Sequence, residues 1–136
     1  MGAWGHGIFD DDTAYDYVDE IDNSDNPKEI FKNAFETAIN AEYLEYDYCH
    51  AVTVSASYID SILNGTKPRV DVEDENFFQF VEKNKHLDLT DLKPNAVKAL
   101  EKVISDGSEL NELWTDNEEL YPKWKENIEE LIQRLK

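Results

Sequence analysis

Three histidines, one cysteine and a dense run of carboxylates are the residues with which this chain could do chemistry. His6 precedes Asp10 and Asp12 in a stretch where Gly2, Gly5 and Gly7 free the backbone. A flexible loop leading into clustered carboxylates offers the oxygens that a hard divalent cation takes. It lacks the alternating oxygens, central Gly and distal Glu of a calcium loop. Helix capping explains Asp10 and Asp12 more simply, since a side-chain oxygen ahead of a helix accepts from its first free N–H groups. Cys49 and His50 are sequence neighbours, so on a helix their side chains point about 100° apart and do not make a nucleophile and base pair. A half-buried core cysteine is the simpler role. Asp47 and His50, three apart, can share a face as a hydrogen bond or as two metal ligands, and two ligands do not make a site. His86 sits in a turn and signals nothing. The sequence has no Walker loop, dinucleotide Gly fingerprint, Gly-x-Ser-x-Gly elbow or paired zinc spacing, so neither a cofactor nor a metal is expected.

Helices must position these residues. Asp10, Asp11 and Asp12 supply an N-cap and first-turn negative charge, and Ala14, Tyr17, Val18 and Ile21 follow at helical spacing, which predicts a helix over 12–22. Ahead of it, Trp4, Ile8 and Phe9 are expected to anchor a Gly-rich entry loop, with Trp4 and Phe9 buried as a plug. Pro27 opens a second helix whose stripe includes Ile30, Phe31, Ala34, Phe35, Ala38 and Ile39. A longer helix over 43–64 carries Cys49, Val52, Ala56, Ile59 and Leu63, with small residues at Ala51, Ser55 and Ala56 for close approach. Gly65 terminates it and Pro68 prevents resumption. Asn64-Gly65-Thr66 also matches the glycosylation sequon, without a secretory context to act in.

A linker over 66–72 holds the locally basic Lys67 and Arg69. Further helices are expected over 73–84, from Pro94 to Gly107, briefly after a Ser108 cap, and from near Pro122 through Trp124, Ile128, Leu131, Ile132 and Leu135. Strands find little support, the best alternating candidate, Val70-Asp71-Val72, being too short; no repeat occurs at a fixed period, and no heptad run is long enough for a coiled coil. The expectation is an all-α fold, a single compact domain of about six or seven helices over residues 1–136.

Composition bounds the rest. The 136 residues carry 31 acidic and 13 basic side chains, a net charge of −18, and 12% aromatics argue against the disorder that such charge would otherwise suggest. One cysteine cannot bridge internally, so a disulfide-stapled secreted scaffold is out. No apolar run approaches a membrane span, and neither a secretory leader nor a myristoylation pattern is apparent, which points to a cytoplasmic protein without membrane attachment. An anionic surface also opposes nucleic acid as the main partner. The charge is uneven: residues 1–66 hold 14 acidic side chains against Lys28 and Lys32, a net −12. Asp10, Asp11, Asp12, Asp16, Asp19, Glu20, Asp22 and Asp25 follow one another without a Lys or Arg between them, interleaved with Tyr15 and Tyr17. Such a face either keeps the protein soluble or docks a basic partner.

The string Met1-Gly2-Ala3-Trp4-Gly5-His6-Gly7-Ile8-Phe9-Asp10-Asp11-Asp12, with Ala14 and Asp16, resembles the opening of a largely bacterial family, domain of unknown function 4259. Its members typically begin Met-Gly-x-Trp-Gly-x-Gly-x-Phe-Asp-Asn-Asp. Tyr43-Leu44-Glu45, the Gly65 and Pro68 break, Ser108-Glu109-Leu110, Leu113-Trp114 and Trp124 continue the likeness, so it covers nearly the whole chain. Asp11 stands where Asn is usual, and the third helix is richer in Tyr and Thr than the usual Ala-rich form. The resemblance implies a small helical cytoplasmic protein and no particular activity. Its signature residues Trp4, Gly5, Gly7, Phe9, Asp10 and Asp12 are candidates for function, with Glu45 a weaker one. Asp16, Asp19 and Glu20 join them as the acidic face. The leading expectation is a non-catalytic protein-binding module, immunity-like or inhibitor-like toward a basic protein. The alternatives are a small metal-dependent hydrolase using N-terminal carboxylates, and a structural or stress-related helical protein.

Overall fold

The computed structural model describes residues 7–68 and 76–136. Seven α-helices follow one another there: α1 Asp12–Asp22, α2 Pro27–Asn40, α3 Tyr46–Asn64, α4 Asn76–Lys83, α5 Lys93–Val103, α6 Glu109–Thr115 and α7 Tyr121–Leu135, with a 3-10 turn at Thr90–Leu92 before α5. No strand occurs among the described residues, only an isolated parallel bridge between Leu44 and Ser108. The chain is all-α, as its apolar spacing requires. The expectations for Trp4 and Gly5, and for a fourth helix beginning at Glu73, lie outside the described residues.

Helix α3 is the axis, and every other helix packs on it. Its period of three and four suggested one buried face, yet every residue from Cys49 to Ile62 is buried. A helix covered all round must bury its polar side chains with partners. Ser57 Oγ donates to Thr53 O at 2.9 Å, Thr53 Oγ1 to His50 O at 3.3 Å, and Ser61 Oγ to Thr66 O at 2.7 Å. Small hydroxyls folded back on nearby backbone carbonyls let a polar sequence serve as a core helix. Around it, Tyr58 stacks on Phe31 at 5.8 Å and meets Phe77 at 4.4 Å, while Phe77 meets Phe9 at 5.2 Å. Trp114 and Trp124 stack at 6.0 Å where α6 meets α7.

Two helix boundaries differ from the sequence expectation. Helix α3 begins at Tyr46, not Tyr43, because Leu44 is engaged elsewhere: its N–H donates to Gly107 O at 2.8 Å and its carbonyl accepts from Glu109 N at 2.9 Å. The α3 N-cap residue Glu45 makes no side-chain cap, and Glu109 of α6 takes that role by accepting from Tyr46 N–H at 2.8 Å. Helix α5 stops at Val103, not Gly107, where Ser105 turns back on Lys102 O through both its N–H and its hydroxyl. Cys49 is wholly buried, not half-buried. Its Sγ lies 3.3 Å from Ser108 Oγ, and burial pushes the thiol pKa up, away from reactivity.

Candidate functional site

The N-terminal signature folds inward. Gly7 N–H donates to Asp10 Oδ2 at 3.1 Å while Asp10 N–H donates to Gly7 O at 3.1 Å, closing a tight turn. A Cβ on Gly7 would stand 2.9 Å from Asp10 Oδ2, so any larger residue would push the Asp10 carboxylate out of the turn. Phe9, 1% exposed, is inserted into the core. The α1 cap is Asp11, and neither Asp10 nor Asp12: with extended backbone, Asp11 accepts from Thr13 N–H through Oδ1 at 2.8 Å. Its other oxygen, Oδ2, accepts from Tyr46 OH and lies 3.3 Å from His50 Nε2, off the line of a straight hydrogen bond. His50 therefore faces Asp11 of another element, and Asp47, its expected partner, is exposed.

This junction is buried, with Asp11 at 2% and His50 at 4% exposure. Burial acts to raise the Asp11 carboxyl pKa, but the adjacent His50 imidazole, the Tyr46 hydroxyl and the Thr13 N–H outweigh it and hold the value at about 2. Tyr46 also packs edge-on to the His50 ring, with centroids 4.7 Å apart. A cavity of about 10 Å³, lined by Asp10, Asp11, His50, Thr53, Trp114 and Trp124 among others, is no larger than one water. Among the described residues, no three or more His, Cys, Asp or Glu side chains are placed to hold a metal ion. Asp10 and Asp11 cap, close a turn and pair with neighbours.

Outside this junction the remaining candidates among the described residues face solvent. Asp12, Asp16, Asp19 and Glu20 are exposed along α1. Where α1 meets the start of α3, a groove of about 290 Å³ is lined by Tyr17, Glu45, Tyr46, Asp47, Tyr48 and Glu109. The Tyr17 hydroxyl pKa is pushed up to about 12, first by burial and then by the charges of Asp47, Glu20, Tyr48 and Asp16. The phenol thus stays a proton donor, with the Asp47, Glu20 and Asp16 carboxylates near it. Beside the groove, Tyr43 OH donates to Glu112 Oε2 at 2.8 Å, and this bond is the main reason its pKa also rises to about 12. The structure therefore divides the sequence candidates. Phe9 and Asp10 are buried and Gly7 is half-buried, while Asp12, Asp16, Asp19 and Glu20 form an outer face.

Sequence reasoning missed Asp11, His50 and Tyr46 as a unit, and Tyr48 and Glu109 as groove walls. The elements that bring them together are far apart in the chain, 35 residues for Asp11 and Tyr46 and 63 for Tyr46 and Glu109. Only the tyrosines interleaved with acids, in Glu45-Tyr46-Asp47-Tyr48, carried a local signal.

Among the described residues no helix is long and apolar enough to cross a membrane. No curated protein and no solved structure matches the chain. A family model does, over residues 2–127, under the description Domain of unknown function (DUF4259). The turn built by Gly7 and Asp10, the inserted Phe9 and the Asp11 cap lie within that match, and the chain belongs to the DUF4259 family.

Proposed function

We propose that the protein is a non-catalytic binding module that engages a basic protein partner through the acidic, tyrosine-lined face made by α1 and the start of α3. The observation that carries this reading is the groove of Tyr17, Glu45, Asp47, Tyr48 and Glu109 beside the exposed acids of α1. Tyrosine rings offer rigid contact area and, with a cation above their faces, an attraction of about 0.5–1 kcal/mol at exposed sites. Surrounding carboxylates add charge-assisted hydrogen bonds to Lys or Arg and steer the encounter. Tyr48, 47% exposed, is available for such contact at no unfolding cost. An inhibitor-like or immunity-like role follows naturally for a module that works by covering a cationic surface.

Capture from the native host tests the proposal. Immobilised wild-type protein and an Asp47→Lys, Tyr48→Ala variant are exposed to the same lysate at low salt, and retained proteins are identified by mass spectrometry. The reading expects a basic protein held stoichiometrically by wild type and lost from the variant. Retention of the same proteins by both would contradict it.

A further inference from the structure

At the exit of α3, Gly65 adopts φ 75° and ψ 13° as the C-cap, and nothing lies within 4 Å of the place its Cβ would take. A left-handed cap strongly favours glycine. The fold thus places a residue with no side chain to shield its backbone directly after Asn64, itself exposed. We propose that Asn64–Gly65 is a modification site: it deamidates spontaneously when the cap opens, and conversion loosens the end of α7 from α3.

The reaction needs only water. The Gly65 nitrogen loses its proton and attacks Asn64 Cγ. The N–Cγ bond forms, the Cγ–Nδ2 bond breaks, and the side-chain nitrogen leaves as ammonia. Water then opens the cyclic imide at either carbonyl, to aspartate or to isoaspartate.

The closed cap restrains both reacting groups. Gly65 N–H donates to Ser61 O at 3.0 Å, and Asn64 Nδ2 donates to Asp60 Oδ1 at 2.8 Å and to Arg134 O at 3.2 Å. These bonds also make conversion disruptive. Asp60 is 2% exposed and its Oδ2 already holds Arg134 Nε at 2.7 Å. A carboxylate at position 64 would set acceptor against acceptor and like charge against like. Isoaspartate would also lengthen the backbone at the cap and displace Gly65 from Ser61.

The full chain is aged in mildly alkaline buffer, folded or in urea, alongside Arg134→Ala. Mass mapping of the peptide spanning residues 64–65 and isoaspartate methyltransferase labelling follow the conversion. The proposal expects conversion in the folded protein to be roughly tenfold slower or more than in urea. It expects Arg134→Ala to convert several-fold faster than wild type, and Asn64→Asp to melt below it. If Arg134→Ala does not fold, urea below the unfolding transition opens the cap instead. Equal rates folded and unfolded, no conversion in urea, no acceleration on opening the cap, or an Asn64→Asp protein that melts like wild type would each overturn the proposal.

Discussion

Asp11 Oδ2 and His50 Nε2 lie 3.3 Å apart in the interior, joining the cap of α1 to the first turns of α3. The same carboxylate accepts from Tyr46 OH and Thr13 N–H, so one side chain fixes the entry of the chain into its helical core. Asp11→Ala should cost about 2–3 kcal/mol, through a lost cap, the loss of the acceptor of the Tyr46 hydroxyl and the loss of the carboxylate that faces buried His50. Asp11→Asn keeps a good cap and should cost less. Urea unfolding of the three proteins gives the order; equal stabilities would show that the junction contributes little.

The Asp11 carboxyl pKa is lowered from 3.8 to about 2 in the folded protein. Between these values the unfolded chain binds more protons than the folded one, so stability from this group is complete above about pH 4 and lost as pH falls toward 2. The difference in unfolding midpoint between wild type and Asp11→Asn should therefore narrow across that window. A difference that stays constant with pH would assign the acid sensitivity to other carboxylates.

Phe9→Ala should cost about 3–5 kcal/mol, because the ring is inserted against Phe77 and cannot be replaced by solvent without a cavity. Gly7→Ala should cost about 1 kcal/mol through the clash with Asp10, with the helical circular dichroism retained. Thermal melts separate the two, and a Phe9→Ala protein that melts like wild type would remove Phe9 from the core.

Arg134→Ala should destabilise by about 1–2 kcal/mol, less than for a fully buried pair, because the arginine is 39% exposed and Asp60 keeps Asn64 and Thr66 as donors. Hydrogen exchange should show the loss at the end of α7 first. Uniform acceleration across the chain would place the effect elsewhere.

Local signals carried most of the fold. Asp11 ahead of Ala14, Val18 and Ile21, Pro27 at the head of α2, Ser108 before α6 and Gly65 after α3 each act within a turn or two of the chain, and a sequence displays them directly. The α3 start was hidden because its cap comes from Glu109 and Leu44, two residues ahead of it, bridges Ser108. Polar residues such as Thr53, Ser57 and Asp60 disguised how deeply α3 is buried, since their partners are carbonyls of the same helix and the distant Arg134. The acidic face was legible as composition along α1. Its groove was not, because Tyr17, Tyr48 and Glu109 meet only after α1, α3 and α6 pack.

The binding proposal depends on the charge of the exposed α1 face, and the association rate of a captured partner tests it most directly. Asp16, Asp19 and Glu20 are exposed, so reversing all three to Lys should leave the fold intact. Surface plasmon resonance at low and high salt should show association slowed several-fold by the reversal, slowed by salt for wild type, and with dissociation changed far less. A partner that associates equally fast at both salts and ignores the reversal would contradict the account.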